Sequence, residues 1–201
     1  MNATEATRKS LHGVAELLLA GPQYRACGKI RLRATPGGFG TTVAPALRVA
    51  GDHLTARDQR IPLNGATFAE VAAAAGVEAG APAGVYEDGS GAEPGDRIML
   101  DPPALRTVLS AFAAADEALR RFAPGQEPVL WPEHFDLAIT VDEINYGVSP
   151  GDGYLAEPYA YIGPHQPRQG PFWTAPFGAA RAVHELDDLV TFFTEGRQAA
   201  G

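Results

Sequence analysis

The sequence of 201 residues contains one cysteine, two lysines, no basic run and no long apolar run. Because Cys27 has no second cysteine to pair with, an intramolecular disulfide is excluded, and no apolar stretch approaches the roughly 20 residues that cross a bilayer. The 24 Asp and Glu against 16 Lys and Arg give a net charge of -8, which repels a phosphate backbone. We therefore expect a soluble, cytoplasmic protein with neither a membrane nor a nucleic acid as partner.

The apolar stretch from Leu11 to Ala20 superficially resembles the apolar region of a signal peptide, but His12 and Glu16 interrupt it. Its apolar residues recur at helical spacing, which instead predicts an amphipathic helix. Gly21 and Pro22 follow directly and predict the end of that helix.

Glycine and proline are abundant, with 23 and 17 residues, so turns must be plentiful and an all-helical bundle is excluded. A flexible Gly, Ala, Pro and acidic segment, residues 78–95, joins two parts of one domain, residues 1–77 and 96–201. Each part reads as helix, strands, helix. Asp101, followed by Pro102 and Pro103, predicts the capped start of the first helix of the second part. We predict an α+β fold in which largely antiparallel strands of both parts build one sheet system, with helices at 104–122 and 185–195 packed on it. A diverged internal duplication would explain the matching order.

The most informative segment for chemistry runs from Trp131 to Asp142, where apolar and polar residues alternate strictly. This alternation predicts a strand with one apolar face and one polar face, the polar one carrying His134 and Asp136 side by side. Such a pair suits a general base with its orienting carboxylate, or two metal ligands. A further ligand would come from His165, Glu157 or Asp152 on the following loops.

The run Gly28 to Thr35 predicts a second strand, with Lys29, Arg31 and Arg33 on one face. Two interpretations remain open. These cations either form cross-strand pairs with the acidic residues Asp136, Asp142 or Glu143, or they line a cleft that binds a small anion.

Aromatic residues are dense among the prolines and glycines between positions 145 and 173, and four of them are singled out: Tyr159, Tyr161, Phe172 and Trp173. They suit the lid of a ligand pocket or the face of a homodimer, while aromatic residues in long loops more often only cover the end of a core.

Short islands of the sequence, such as Gly28-Lys29-Ile30-Arg31-Leu32 and Phe135-Asp136-Leu137-Ala138, resemble a bacterial domain-of-unknown-function family. The resemblance implies that these islands are recurring strands of one fold. The family brings no established activity, and the chain departs from it at Gly37 to Thr42, where the family tends to carry bulky aromatic residues.

Our leading hypothesis is a domain that binds a small polar or anionic molecule between the two polar strand faces, through Arg31 and Arg33 of one and His134 and Asp136 of the other. The further ligand-binding residues would be Lys29, Tyr159, Tyr161 and Trp173. One alternative is a hydrolase or isomerase centred on His134 and Asp136, either metal-assisted or using a general base. The other is a homodimeric interaction protein. The sequence indicates no particular cofactor.

Overall fold

The computed structural model describes residues 2–201, which form ten strands and five α-helices. The strands are β1 (Leu32–Thr35), β2 (Gly38–Thr41), β3 (Leu47–Ala50), β4 (His53–Ala56), β5 (Gln59–Pro62), β6 (Val129–Trp131), β7 (Asp136–Val141), β8 (Ile144–Ser149), β9 (Tyr159–Pro164) and β10 (Ala179–Ala182). The helices are α1 (Ala3–Gly13), α2 (Gly21–Cys27), α3 (Phe68–Ala75), α4 (Pro102–Phe122) and α5 (Leu189–Ala199), and a π-helical segment, Val14–Ala20, joins α1 to α2.

All ten strands lie in one antiparallel sheet in the order β10-β9-β8-β7-β6-β1-β2-β3-β4-β5. Strands β1 and β6, the first strands of the two parts, pair at the centre of the sheet. Each part therefore consists of a helix, a five-stranded meander and a helix, and the predicted α+β fold is confirmed. The duplication itself stays a prediction.

The helices cover one face of the sheet, and the core lies between them. Phe112 of α4 packs edge-on against Phe39 and Phe135, with ring centroids 6.1 and 5.1 Å away. The predicted start of α4 is also present, since the Asp101 carboxylate accepts a hydrogen bond from the Ala104 backbone N–H. Among residues 2–201, no helix combines the length and the apolar character needed to cross a membrane.

The predicted end of the first helix at Gly21 and Pro22 is wrong, because the helix continues to Cys27. In the π-helical segment the Gly21 N–H bonds to the Glu16 carbonyl, five residues back. Pro22 has no N–H to continue this pattern, and the Leu17 carbonyl accepts instead from Gly80. A backbone group of a distant loop thus satisfies the carbonyl that the proline leaves free.

The segment 78–95, predicted to be a flexible connection, lies along the first helix. Gly80 approaches Gly21 so closely that a Cβ on Gly21 would stand 1.6 Å from the Gly80 carbonyl oxygen. Farther along, the Ser90 N–H donates to the buried Glu16 carboxylate at 2.7 Å. These contacts bring Gly89 and Ser90 to the edge of the cavity described below.

The last helix differs from the prediction at both ends, since α5 begins at Leu189 and passes through Gly196. A Cβ at Gly196 would meet Ile162 Cδ1 at 2.1 Å. This glycine therefore permits close packing of α5 on β9 and does not terminate the helix.

Candidate functional site

The predicted continuous strand from Trp131 to Asp142 is wrong in its first part. Strand β6 ends at Trp131, residues 132–135 form a turn, and β7 begins at Asp136, which is paired with Trp131. Phe135 has a positive φ of 52° and is buried in the core. His134 therefore lies on a turn, with 65% of its side chain exposed, and it does not sit beside Asp136 on a strand face.

The alternation within β7 is as predicted, with Leu137 and Ile139 facing the helices, but its polar face is not open to water at Asp136. Asp136 is 6% exposed, and its Oδ2 accepts a hydrogen bond from the Tyr161 hydroxyl. The Tyr161 ring reaches Asp136 from β9 by lying over Gly147 of β8, where a Cβ would stand 2.7 Å from the ring. Gly147 is thus the residue that lets the tyrosine cross the intervening strand.

A cavity of about 750 Å³ adjoins this pair at the end of the sheet where β7 begins, β8 ends and β9 begins. Helix α1 contributes one wall, the turn at 132–135 a second, and the loop after β8 a third. The lining residues that bear charge are Glu5, Arg8, Lys9, His12, Glu133, His134, Asp136 and Asp152. A cavity of this size matches the pockets that hold small organic ligands.

Two carboxylate oxygens at this cavity are buried and find no hydrogen-bond partner within residues 2–201: Asp136 Oδ1 and Glu133 Oε2. Burial raises the pKa of Asp136 to about 6, while the hydrogen bond from Tyr161 and the charge of His134 act in the opposite direction. Buried acceptors without partners are rare in folded proteins, and a raised carboxyl pKa in a cleft marks a candidate functional group.

His12 matches no functional motif in the sequence, yet it forms part of the cavity wall. Its ring stacks on Phe135 at a centroid distance of 5.3 Å, and its Nε2–H donates to the Pro132 carbonyl at 2.7 Å. Burial lowers the pKa of His12, against the opposing influence of the Glu16 carboxylate. His12 therefore fixes the turn that carries Glu133 and His134.

Four aromatic side chains also line the cavity, and we call them the aromatic wall: Tyr154, Tyr159, Tyr161 and Phe177. Neighbouring rings are 5.0 to 6.4 Å apart. The Tyr159 hydroxyl donates to Asp152, so each buried tyrosine of the wall is anchored by its own carboxylate. Tyr154 and Phe177 remain 48% and 40% exposed and border the opening.

The other predicted aromatic residues lie elsewhere. Phe172 stacks on Phe192 of α5, and Trp173 packs edge-on against Phe172. Phe172 and Trp173 therefore cover the end of the core, whereas Tyr159 and Tyr161 belong to the cavity. The four do not share one exposed face, and dimerisation stays a prediction.

The predicted basic residues do not reach the Asp136 cavity. Lys29, Arg31 and Arg33 line a separate depression of about 540 Å³. Strand β6 separates β1 from β7, so the expected cross-strand pairs with the acidic residues of the second part do not form, and no ion pair within residues 2–201 includes these three cations. Arg31 instead stacks on the ring of Trp131 at 5.3 Å.

The predicted metal ligands are not gathered around one point. No group of three or more His, Cys, Asp or Glu side chains within residues 2–201 is arranged to hold a metal ion. His165 lies at the other end of β8, where its Nε2 is 3.4 Å from Asn145 Oδ1.

Of the predicted site residues, the structure therefore brings together His134, Asp136, Tyr159 and Tyr161. Sequence reasoning missed Glu133, which adjoins the predicted His134, and Gly147, which reads as an ordinary strand glycine. It also missed the exposed Phe177, since nothing in the sequence shows which loop aromatics converge.

Searches with this chain found no matching family model, no matching curated protein and no matching solved structure. The resemblance to a bacterial family of unknown function accordingly stays a prediction.

Proposed function

We propose that the protein binds a small polar molecule in the Asp136 cavity, and that the molecule offers a positively charged N–H donor to Asp136 Oδ1. The observation that carries the proposal is that Asp136, a lining residue of the cavity, has one buried carboxylate oxygen without a protein partner. An unpaired buried acceptor costs about 1–3 kcal/mol, a cost that a donor from a ligand removes.

The surroundings of Asp136 favour a cationic group over an anionic one. Glu133 supplies a second unpaired carboxylate oxygen, whereas the guanidinium of Arg8, which lines the cavity together with Lys9, already donates to the Ala156 carbonyl. The aromatic wall adds ring faces that attract a cation and apolar area for the body of the ligand. We therefore favour an amine with an apolar body.

Benzylamine and benzyl alcohol, which have nearly the same shape, test this by isothermal titration calorimetry. The amine should bind at least about tenfold more tightly than the alcohol, because only the amine forms a charged hydrogen bond. Asp136→Asn should remove this preference. Glu117→Gln, on the exposed surface of α4, removes one charge away from the cavity and should leave it intact. Equal affinities for the amine and the alcohol would contradict the proposal.

The pH dependence provides a second test. Because the pKa of Asp136 is raised to about 6, the carboxylate is ionised above that pH and becomes protonated as the pH falls through it. Affinity for the amine should be constant between about pH 7 and 8 and fall about tenfold per unit well below pH 6. Affinity that is independent of pH would exclude Asp136 as the counter-ion.

Acid–base catalysis of a hydrolase or isomerase type is a second candidate, favoured by the same raised pKa of Asp136. In this case the Asp136 carboxyl group would transfer the proton, and the hydrogen bond from Tyr161 would orient that carboxyl group. The exposed His134 would not take part in the proton transfer. The distinguishing result is turnover of a bound compound that Asp136→Asn abolishes and His134→Ala retains.

A further inference from the structure

Three arginines lie in one row on the open face of the first part of the sheet. The pairing register aligns Arg33 of β1 with Gly40, Gly40 with Arg48 of β3, Arg48 with Thr55, and Thr55 with Arg60 of β5. Strand spacing places successive arginines of the row roughly 10 Å apart at their Cα atoms. All three side chains are exposed.

This face is basic although the protein is acidic. Residues 28–62 contain six of the 16 Lys and Arg but only two of the 24 Asp and Glu, a net charge of +4 against -8 for the whole chain. One of the two acidic residues, Asp52, is paired with His53. No arginine of the row forms an ion pair within residues 2–201. The row therefore has no internal counter-charge.

A depression of about 380 Å³ lies in this face between two arginines of the row. Arg33, Arg48 and Arg57 line it, and no acidic residue does. Gly40 contributes no side chain to it, and the Thr35 hydroxyl oxygen at its edge is buried without a hydrogen-bond partner. The depression thus brings together three guanidinium groups that form no ion pair within residues 2–201.

Hydrogen bonds to a buried glutamine hold Thr42 and Val43, two lining residues of this depression. Gln23, fully buried at the end of the first helix, donates from Nε2 to the Lys29 and Arg31 carbonyls and accepts at Oε1 from the Thr42 and Val43 N–H groups. One side chain therefore ties the approach to β1 to the loop after β2. Lining residues held in this way reduce the entropy lost when a ligand binds.

We propose that this depression, the arginine site, binds a small molecule carrying two or more linked phosphate groups. Guanidinium groups bind phosphate oxygens in a bidentate manner, and three of them around one depression suit several adjacent charges. The acidic remainder of the surface would repel a long polyanion extending beyond the site. Trp131, the tryptophan of the neighbouring strand β6, already stacks with Arg31, so its ring is not free to stack with the bases of a nucleic acid. The arginine site is independent of the Asp136 cavity and of the function proposed for it.

Isothermal titration calorimetry with sodium tripolyphosphate tests the proposal on the full-length protein. We expect saturable binding with one site per chain, and Arg48→Ala and Arg57→Ala should each weaken it at least about tenfold, the loss expected for one charged hydrogen-bonding group. Arg48→Lys keeps the charge but loses the paired N–H donors, so its affinity for tripolyphosphate should lie between those of the wild type and Arg48→Ala. Arg106→Ala, an exposed arginine on α4, is the matched control and should bind as tightly as the wild type.

Three results would overturn the proposal. The first is no binding of tripolyphosphate at millimolar concentration and low salt. The second is an equal loss of affinity in Arg106→Ala and Arg48→Ala, which would show that tripolyphosphate is attracted to any cation on the surface. The third is an oligothymidylate that binds through these arginines more tightly than tripolyphosphate, which would make the ligand a nucleic acid.

Discussion

Replacing Asp136 by asparagine should stabilise the protein at neutral pH, although it removes a group of the candidate site. The pKa of this carboxyl rises from 3.8 to about 6 because burial disfavours the charged form. Between these two values the folded state binds more protons than the unfolded state, so the stability of the wild type falls as the pH rises. Two pKa units at about 1.4 kcal/mol each give a cost of about 3 kcal/mol above pH 6.

Asparagine carries no charge and therefore escapes this cost. Its side-chain oxygen still accepts from the Tyr161 hydroxyl, and the residue lines a cavity large enough for a water molecule to accept from the amide group. Near pH 3.5 the free energy of unfolding of Asp136→Asn should equal that of the wild type. By pH 8 it should be about 3 kcal/mol higher, and most of this difference should develop between about pH 4 and 6.

Urea denaturation at a series of pH values measures this gain. With an m-value of about 3 kcal/mol per molar urea, the midpoint at pH 8 should rise by about 1 M. Glu117→Gln, which removes a carboxyl from the exposed surface of α4, should not reproduce the dependence on pH. A midpoint difference that is the same at every pH, or an asparagine variant that is less stable at pH 8, would refute the argument from burial.

Three further substitutions test the packing that supports the site. Gly147→Ala should displace the Tyr161 ring, which lies 2.7 Å from the new Cβ, and cost about 1–3 kcal/mol in urea denaturation, whereas Gly153→Ala enters open space and should cost far less. Gly21→Ala should detach the segment 78–95, because its Cβ would stand 1.6 Å from a backbone oxygen, and limited proteolysis should then cut that segment faster, which Gly95→Ala should not cause. Phe112→Ala should cost about 3–5 kcal/mol of unfolding free energy, because it removes the ring that joins α4 to the sheet; a loss below about 1 kcal/mol would contradict its central place in the core.

The predicted ends of the first helix and of α5 are wrong for a common reason. Gly21, Pro22 and Gly196 carry the usual local signals of a helix end, but each lies where another segment approaches the helix closely. Local sequence records that a position favours glycine or lacks an N–H. It does not record whether the reason is a turn or a neighbour that is distant along the chain.

In the candidate site, too, local sequence predicts some features and the sheet sets the others. Alternation in β7 identifies Asp136 as a polar residue opposite the core, and the two-residue spacing of Tyr159 and Tyr161 puts both on one strand face. Their meeting depends on the order of three strands and on Gly147, which are properties of the sheet. The arginine row likewise depends on the register of β1 to β5, which aligns residues that are far apart in sequence.

By itself, the sequence determined the α+β class, the matching element order of the two parts, the apolar faces of the strands and the cap of α4, because hydrophobic periodicity and capping are local properties. Only the tertiary structure decided that the two parts join through β1 and β6, that Asp136 is buried with one oxygen unpaired, and that the arginines lie apart from it. Those outcomes depend on which strands pair and on what covers each face, and long-range packing sets both.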